Sequence, residues 1–191
     1  PFGSPLGSEL ASKHTLVTYN WQASVSGNRP WPIEDPKFVL SGSYSFLYKD
    51  FLDQRIVETT GQFVDIARRD FMQSLGGSIS RPIPMRVFGG DGRLDLNFGL
   101  NFSYNLSNQN SFDATFAKYL GDSYSYWTLG SGPGASLSCG NKKAPTWAST
   151  SFRWTRQSYL GRLVQDTVGV YGSAKQVHDR YTFSVAYGYP I

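Results

Sequence analysis

"RPIPMRVFGGDGRLDLNFGLNFSYNLSN", residues 81 to 108, decides the fold. Gly89, Gly90, Asp91 and Gly92 read as a turn. Leu94, Leu96, Phe98, Leu100, Phe102, Tyr104 and Leu106 then alternate without a break against Asp95, Asn97, Gly99, Asn101, Ser103 and Asn105. A period of two places alternate side chains on opposite faces, so this is a strand with one apolar and one polar face. From Leu94 to Leu106 it spans about 43 Å at roughly 3.3 Å per residue. That exceeds the usual strand length. Such a strand bends around a core, projects as a ribbon or crosses a bilayer.

The same alternation recurs on either side. Val17, Tyr19, Trp21, Ala23 and Val25 oppose Thr18, Asn20, Gln22 and Ser24, and Phe38 to Tyr48 reads as extended chain. Residues 150 to 160 alternate Phe152 and Trp154 with Arg153, Thr155 and Arg156. Tyr181, Phe183, Val185, Tyr187 and Tyr189 form one face of a last strand, stopped by Pro190.

Between the strands the period changes. Ile56, Thr60, Phe63, Val64, Ala67, Phe71 and Leu75 recur at helical spacing, with Asp65, Arg68, Arg69 and Asp70 largely opposite. This predicts an amphipathic helix over about 53–75, with Gly61 its weak point and Gly76-Gly77 its stop. Residues 111 to 120 fit either a short helix capped by Ser111 or irregular chain. "GSGPGASLSCGNKKAP", 130 to 145, reads as a long flexible loop. Asn28-Arg29-Pro30-Trp31-Pro32 reads as polyproline II or irregular extended chain, neither helix nor central strand.

Composition fits a β-dominated α+β domain, a distorted antiparallel β-barrel or sheet with one helix. Aromatic residues make up 16% of the 191 and charged residues 17%, the latter below the ~25% norm. Residues 1–14 read as a flexible lead-in and 15–191 as one β-rich domain. No run of 18 apolar residues predicts a transmembrane helix. The net charge of +4 permits an anionic partner without demanding one.

Catalytic chemistry is hard to assemble from these residues. The two histidines, His14 and His178, lie in no recognisable catalytic context, and with the single Cys139 they are too few for a zinc site. Adjacent His178 and Asp179 face opposite ways in a strand. "GSGPGAS" lacks the lysine of a phosphate-binding loop. No cofactor and no metal is expected, and the chain is expected not to be an enzyme. Arg153, Trp154, Arg156, Tyr159 and Arg162 interleave cations with rings, as single-stranded nucleic acid binding requires, so Arg153, Trp154, Arg156 and Arg162 are candidate RNA contacts.

"NRPWPI" at 28 to 33, followed after fifteen residues by "KDFL" at 49 to 52, resembles the read-through extension of the minor coat protein of Q-beta-like single-stranded RNA bacteriophages. "GDGRLDL" at 90 to 96 is similar to that family's turn into its Ile-Asp-Leu strand. The resemblance covers about a fifth of the chain and ends near residue 106. It implies a virion structural domain on the capsid exterior, fused to or co-assembled with viral coat protein and acting in attachment to a host cell-surface receptor. Asn28, Arg29, Pro30, Trp31, Pro32, Ile33, Lys49 and Asp50 are then structural or partner-facing motif positions. Three readings compete with it. One is a principal capsid protein that binds RNA. Another is a small outer-membrane β-barrel, favoured by the 94–106 strand, the aromatic last strand and 20 glycines. The last is a sugar-binding module using Trp31, Trp127, Trp147 and Trp154.

Overall fold

A computed structural model describes residues 16–29, 38–87, 90–140 and 146–189, the first of these as backbone alone. Seven long strands form one up-and-down antiparallel sheet in the order β1-β2-β3-β4-β7-β8-β9. They are β1 (Leu16–Arg29), β2 (Phe38–Val57), β3 (Phe63–Val87), β4 (Gly90–Ser107), β7 (Tyr126–Cys139), β8 (Thr146–Gln165) and β9 (Tyr171–Gly188). A small hairpin of β5 (Ser111–Asp113) and β6 (Lys118–Leu120) interrupts the step from β4 to β7. The architecture is β-dominated as expected, and the 94–106 alternation lies within β4.

Three expectations are corrected. No helix spans 53–75. The chain there is the end of β2, a turn closed by Gly61 N–H to the Glu58 carbonyl at 2.9 Å, and the start of β3. Phe63, Ala67, Phe71 and Leu75 are spaced by four, which satisfies a period of two as well as 3.6. Gly76 and Gly77 lie inside β3, where a methyl group on Gly76 would sit 2.6 Å from the Ser43 hydroxyl. Residues 111 to 120 are the β5–β6 hairpin. The glycine-rich stretch from 130 to 139 belongs to β7, not to a loop. There Gly134 leaves room for Asn97 of β4, whose Oδ1 a methyl would meet at 2.6 Å. Pro133 has no N–H to donate, and the β7–β8 ladder skips it and Gly132. Asn28 and Arg29, the start of the expected polyproline segment, end the edge strand β1, while the rest of that segment from Pro30 and the lead-in 1–14 lie outside the described residues.

Conventional core is nearly absent. Among the described residues only Val57 and Leu120 are buried apolar side chains. The chain exposes 13341 Å², against about 9100 Å² expected of a compact monomer of this mass. Val57 lies at one end of the sheet, and Leu120 belongs to the 108–125 segment that folds back over that end. Leu160 N–H donates to the Ser125 carbonyl at 2.9 Å, and Gln109 is fully buried.

At that end the segment passes so close to β8 that a methyl on Gly161 would overlap the Gly121 carbonyl, whereas at Gly99 it would meet open space. Gly161→Ala should therefore lose about 1–3 kcal/mol in urea unfolding. Gly99→Ala should be neutral or slightly stabilising. Equal effects would place the 108–125 segment elsewhere.

Candidate functional site

Register assigns every side chain of the sheet to one of two faces. On the first, β4 presents Leu96, Phe98, Leu100 and Phe102. Opposite them stand Ile79 and Leu75 of β3, Leu40 and Tyr44 of β2, and Leu129 of β7. Further across are Phe152 and Trp154 of β8 paired with Phe183 and Tyr181 of β9. The second face carries Ser41, Ser43 and Ser45 of β2, Ser74, Gly76 and Ser78 of β3, and Asn97, Gly99, Asn101 and Ser103 of β4. It continues with Thr128, Gly130, Gly132 and Gly134, then Ser151, Arg153, Thr155 and Gln157, then His178, Arg180, Thr182 and Ser184.

The apolar face carries large exposed side chains, and the polar face, exposed at Ser41, Ser78, Asn97 and Arg153, closes at its centre. Leu75 is 62% exposed, Leu100 51% and Phe183 71%. Asn101 and Ser103 on the polar face are half-buried and Gly130 is buried. A trough of about 340 Å³ runs along the polar face from Ser41 and Ser43 on β2 to Arg153 on β8. One trough can touch five neighbouring strands, about 19 Å apart at the outer pair, only if the sheet curls around it. The polar face is therefore concave and the apolar face convex, the reverse of a sheet packed on its own core.

Aromatic residues mark a line across the convex face. Tyr48, Phe71, Tyr104, Trp127, Trp154 and Tyr181 follow one another from β2 to β9. The line drifts by about six residues over five strand steps, about 20 Å along the strands against about 24 Å across them. Its slope is about 40°. Just beyond it on the convex face lie two ion pairs, Asp50–Arg69 at 3.8 Å and Arg156–Asp179 at 2.9 Å. Behind it, the outward positions of the next nine residues carry no charge: 40–48 of β2, 71–79 of β3, 96–104 of β4, 127–135 of β7, 146–154 of β8 and 181–189 of β9.

Past the line, the concave face ends in a dense polar cluster. Asp70 accepts from Arg68 at 2.6 and 3.0 Å and from the Ser107 hydroxyl, and Arg68 also donates to Gln54 at 3.3 Å. The Arg68 guanidinium lies 4.5 Å from the Phe51 ring and 4.8 Å from that of Tyr124, and Arg162 lies 4.7 Å from Tyr159. Gln109 locks the fold-back segment to β2, accepting from Val57 N–H at 3.3 Å and donating to the Arg55 carbonyl at 3.2 Å. The ion pair anchors this plug. The cluster was not legible in sequence because its members come from four separate segments.

The candidate RNA contacts do not converge. Arg153 points to the concave face, whereas Trp154 and Arg156 point to the convex face. Arg156 is held bidentate by Asp179 at 2.9 Å, which also accepts from the Trp154 indole at 3.1 Å. Arg162 belongs to the plug. Asn28 and Arg29 close β1, Lys49 stands opposite Asp70, and Asp50 pairs with Arg69. Pro30, Trp31, Pro32 and Ile33 lie outside the described residues. His178 rests edge-on against Tyr159 at 5.8 Å, on the face opposite Asp179. No group of metal-binding side chains occurs among the described residues, and none of their helices could cross a membrane, since they form strands.

Comparison with protein families, curated proteins and solved structures finds no match.

Two outcomes follow from the plug. Arg68→Ala leaves Asp70 buried without its cation and should cost about 3–5 kcal/mol in urea unfolding, while Lys118→Ala on the hairpin surface should cost little. The hairpin should also respond to pH. Burial tends to raise the Asp113 carboxyl, but a bond from Tyr171 and backbone bonds from Phe116 and Thr115 outweigh it and hold the carboxyl below its ordinary value. Desolvation, then the bond to Asp113, pushes Tyr171 up to about 12. A depressed carboxyl stabilises the hairpin above its unfolded value of about 3.9 and loses that contribution as pH falls. The raised tyrosine contributes below about pH 10 and loses its contribution as pH climbs through its folded value. Protection of the Thr115 and Phe116 amides, corrected for intrinsic exchange, should be flat from about pH 5 to 9 and collapse in acid. Asp113→Asn should remove the acid limb.

Proposed function

We propose that the chain forms the wall of a transmembrane β-barrel of the outer-membrane type, with lipid against its convex face and water along its concave one. The observation that carries this reading is the inverted alternation, apolar and aromatic side chains outward and small polar ones inward. In water, a sheet of this kind leaves its apolar face unburied. Against acyl chains, the same face is solvated by its own kind, and the ladder pairs the strands between the two edges, β1 and β9, on both sides apart from the Gly132–Pro133 step.

The dimensions agree with the reading. A bilayer needs strands of about 9–11 residues tilted by roughly 35–45°. The uncharged belt is nine residues deep on each strand, and the aromatic line that bounds it slopes by about 40°. Tyr and Trp favour the membrane–water interface, and ionised pairs beyond them favour the headgroup region. The plug and its buried core then lie where the strands run on past the belt into water. β1 and β9 run in the same sense, so antiparallel closure takes an odd number of further strands.

A second reading is favoured by the "NRPWPI" match, a capsid-exterior domain of an RNA phage that acts in host attachment. Particle association and solubility without lipid would select it over the barrel, and it would leave the outward aromatics to contact coat protein.

The decisive test uses neighbouring positions on opposite faces. The protein is refolded into phosphatidylcholine vesicles, with protease protection and tryptophan emission as readouts. The expected result is a protected, blue-shifted β-structure that does not form as a monomer without lipid or detergent. Leu100→Arg should cost about 2–4 kcal/mol of folding into the bilayer and Asn101→Arg close to nothing. A folded, soluble monomer that ignores vesicles would overturn the proposal.

A further inference from the structure

Between its two ends the concave face concentrates its fixed charge at one place. Its ends are marked by two internally neutral pairs, Arg93–Asp95 at 2.6 Å and Arg68–Asp70 at 2.6 Å. The rows of side chains between them carry mainly serine, threonine, asparagine, glutamine and glycine, with Val39 at one end, His178 on β9, and Leu47, Met72, Tyr126 and Tyr159 in the row next to Asp70. The fixed charges there are Arg153 and Arg180, both positive, with no carboxylate in any intervening row. Arg153 stands opposite Thr182 and Arg180 opposite Thr155. They are diagonal neighbours on one face, about 7–8 Å apart at the backbone. Neither makes an ion pair among the described residues, whereas Arg156 on the other face of the same strand is fully engaged by Asp179.

Arg153 also lines the trough, whose floor is Gly76, Gly99 and Gly130 and whose walls include Ser41, Ser43 and Asn101. A glycine floor lets a ligand approach the backbone closely. Serine hydroxyls and asparagine amides both donate and accept, which suits a ligand rich in hydroxyl groups. Two like charges without a counter-charge repel each other, and an anion between them converts that repulsion into two attractive contacts. Guanidinium groups match carboxylate geometry in a bidentate fork.

We propose that the concave face holds an anion site centred on Arg153 and Arg180, with the serine- and asparagine-lined trough beside it, and that its ligand class is the acidic sugars. The site uses only the polar face. It deepens the barrel reading by giving the lumen a cargo, but what covers the convex face does not enter the binding chemistry.

The test is calorimetric titration of the folded chain, in detergent micelles or in buffer if it folds there, with glucuronate, glucose and acetate as probes. Glucuronate should saturate at millimolar or lower concentration and bind at least about tenfold more tightly than glucose or acetate. The double variant Arg153→Ser/Arg180→Thr, shown to be folded by circular dichroism, should lose at least about tenfold in glucuronate affinity. Arg153→Lys/Arg180→Lys keeps the charge but not the fork and should fall between. It serves as the readout if the neutral pair does not fold. Equal binding of glucose and glucuronate removes the anion site, equal binding of acetate removes the sugar contacts, and an unchanged double variant removes both arginines from it. Vesicle insertion is scored separately, so failure of the barrel reading and failure of this site give different results.

Discussion

Everything in this molecule depends on the antiparallel hydrogen-bond ladder, because almost nothing else holds the strands side by side. A typical domain satisfies its backbone polar groups and buries a core at the same time. Here the ladder joins seven strands, while the apolar side chains it displays meet their cross-strand neighbours, Phe46 against Phe71 at 4.5 Å and Phe152 against Tyr181 at 6.3 Å, and no second layer among the described residues. The hydrophobic term, which usually dominates folding, is therefore supplied by whatever medium lies against the convex face. That single constraint explains the large exposed area and, among the described residues, the scarcity of buried apolar side chains.

Beyond the aromatic line, the molecule changes its strategy. The strands run on without an apolar belt, and stability there comes from polar side chains that replace missing backbone partners. Asn108 extends the β3 ladder by donating to the Ala67 carbonyl at 3.0 Å and accepting from Arg69 N–H at 2.7 Å. Gln109 does the same for the end of β2. Such a network is costly to leave half-satisfied, so Arg68, bound to both Asp70 and Gln54, matters more here than a cation such as Lys118 that only lies over the Tyr171 ring. The ion pairs Arg156–Asp179 and Asp50–Arg69 mark the boundary between the two regimes on the convex side.

The small residues of the concave face serve the curvature as well as the chemistry. A sheet that curls toward one face brings that face's side chains together. Gly130 and Gly134 alternate with Asn101 and Asn97 across the β4–β7 pair, so each amide fills the space its neighbour lacks. Large residues on the convex face meet the opposite condition, with room that widens outward. The size pattern and the polarity pattern are therefore two consequences of one bend. Against so uniform a surface, Arg153 and Arg180 stand out as the pair of charges that nothing in the sheet neutralises.

Much of the fold was legible in the residues themselves. Unbroken alternation from Leu94 to Leu106 and from Tyr181 to Tyr189 fixes strands and tells the two faces apart, because a two-residue period has no other extended solution. Glycine and proline misled at 130–139, where they fill a tight neighbour contact, and spacing by four misled at 63–75, where two periods coincide. What the sequence determined is therefore that one face is apolar and the other polar. Which face is concave was decided by the tertiary structure alone. Alternation is symmetric under inversion of the sheet, and only the curl, set by neighbours from other strands, says whether leucine or serine points inward.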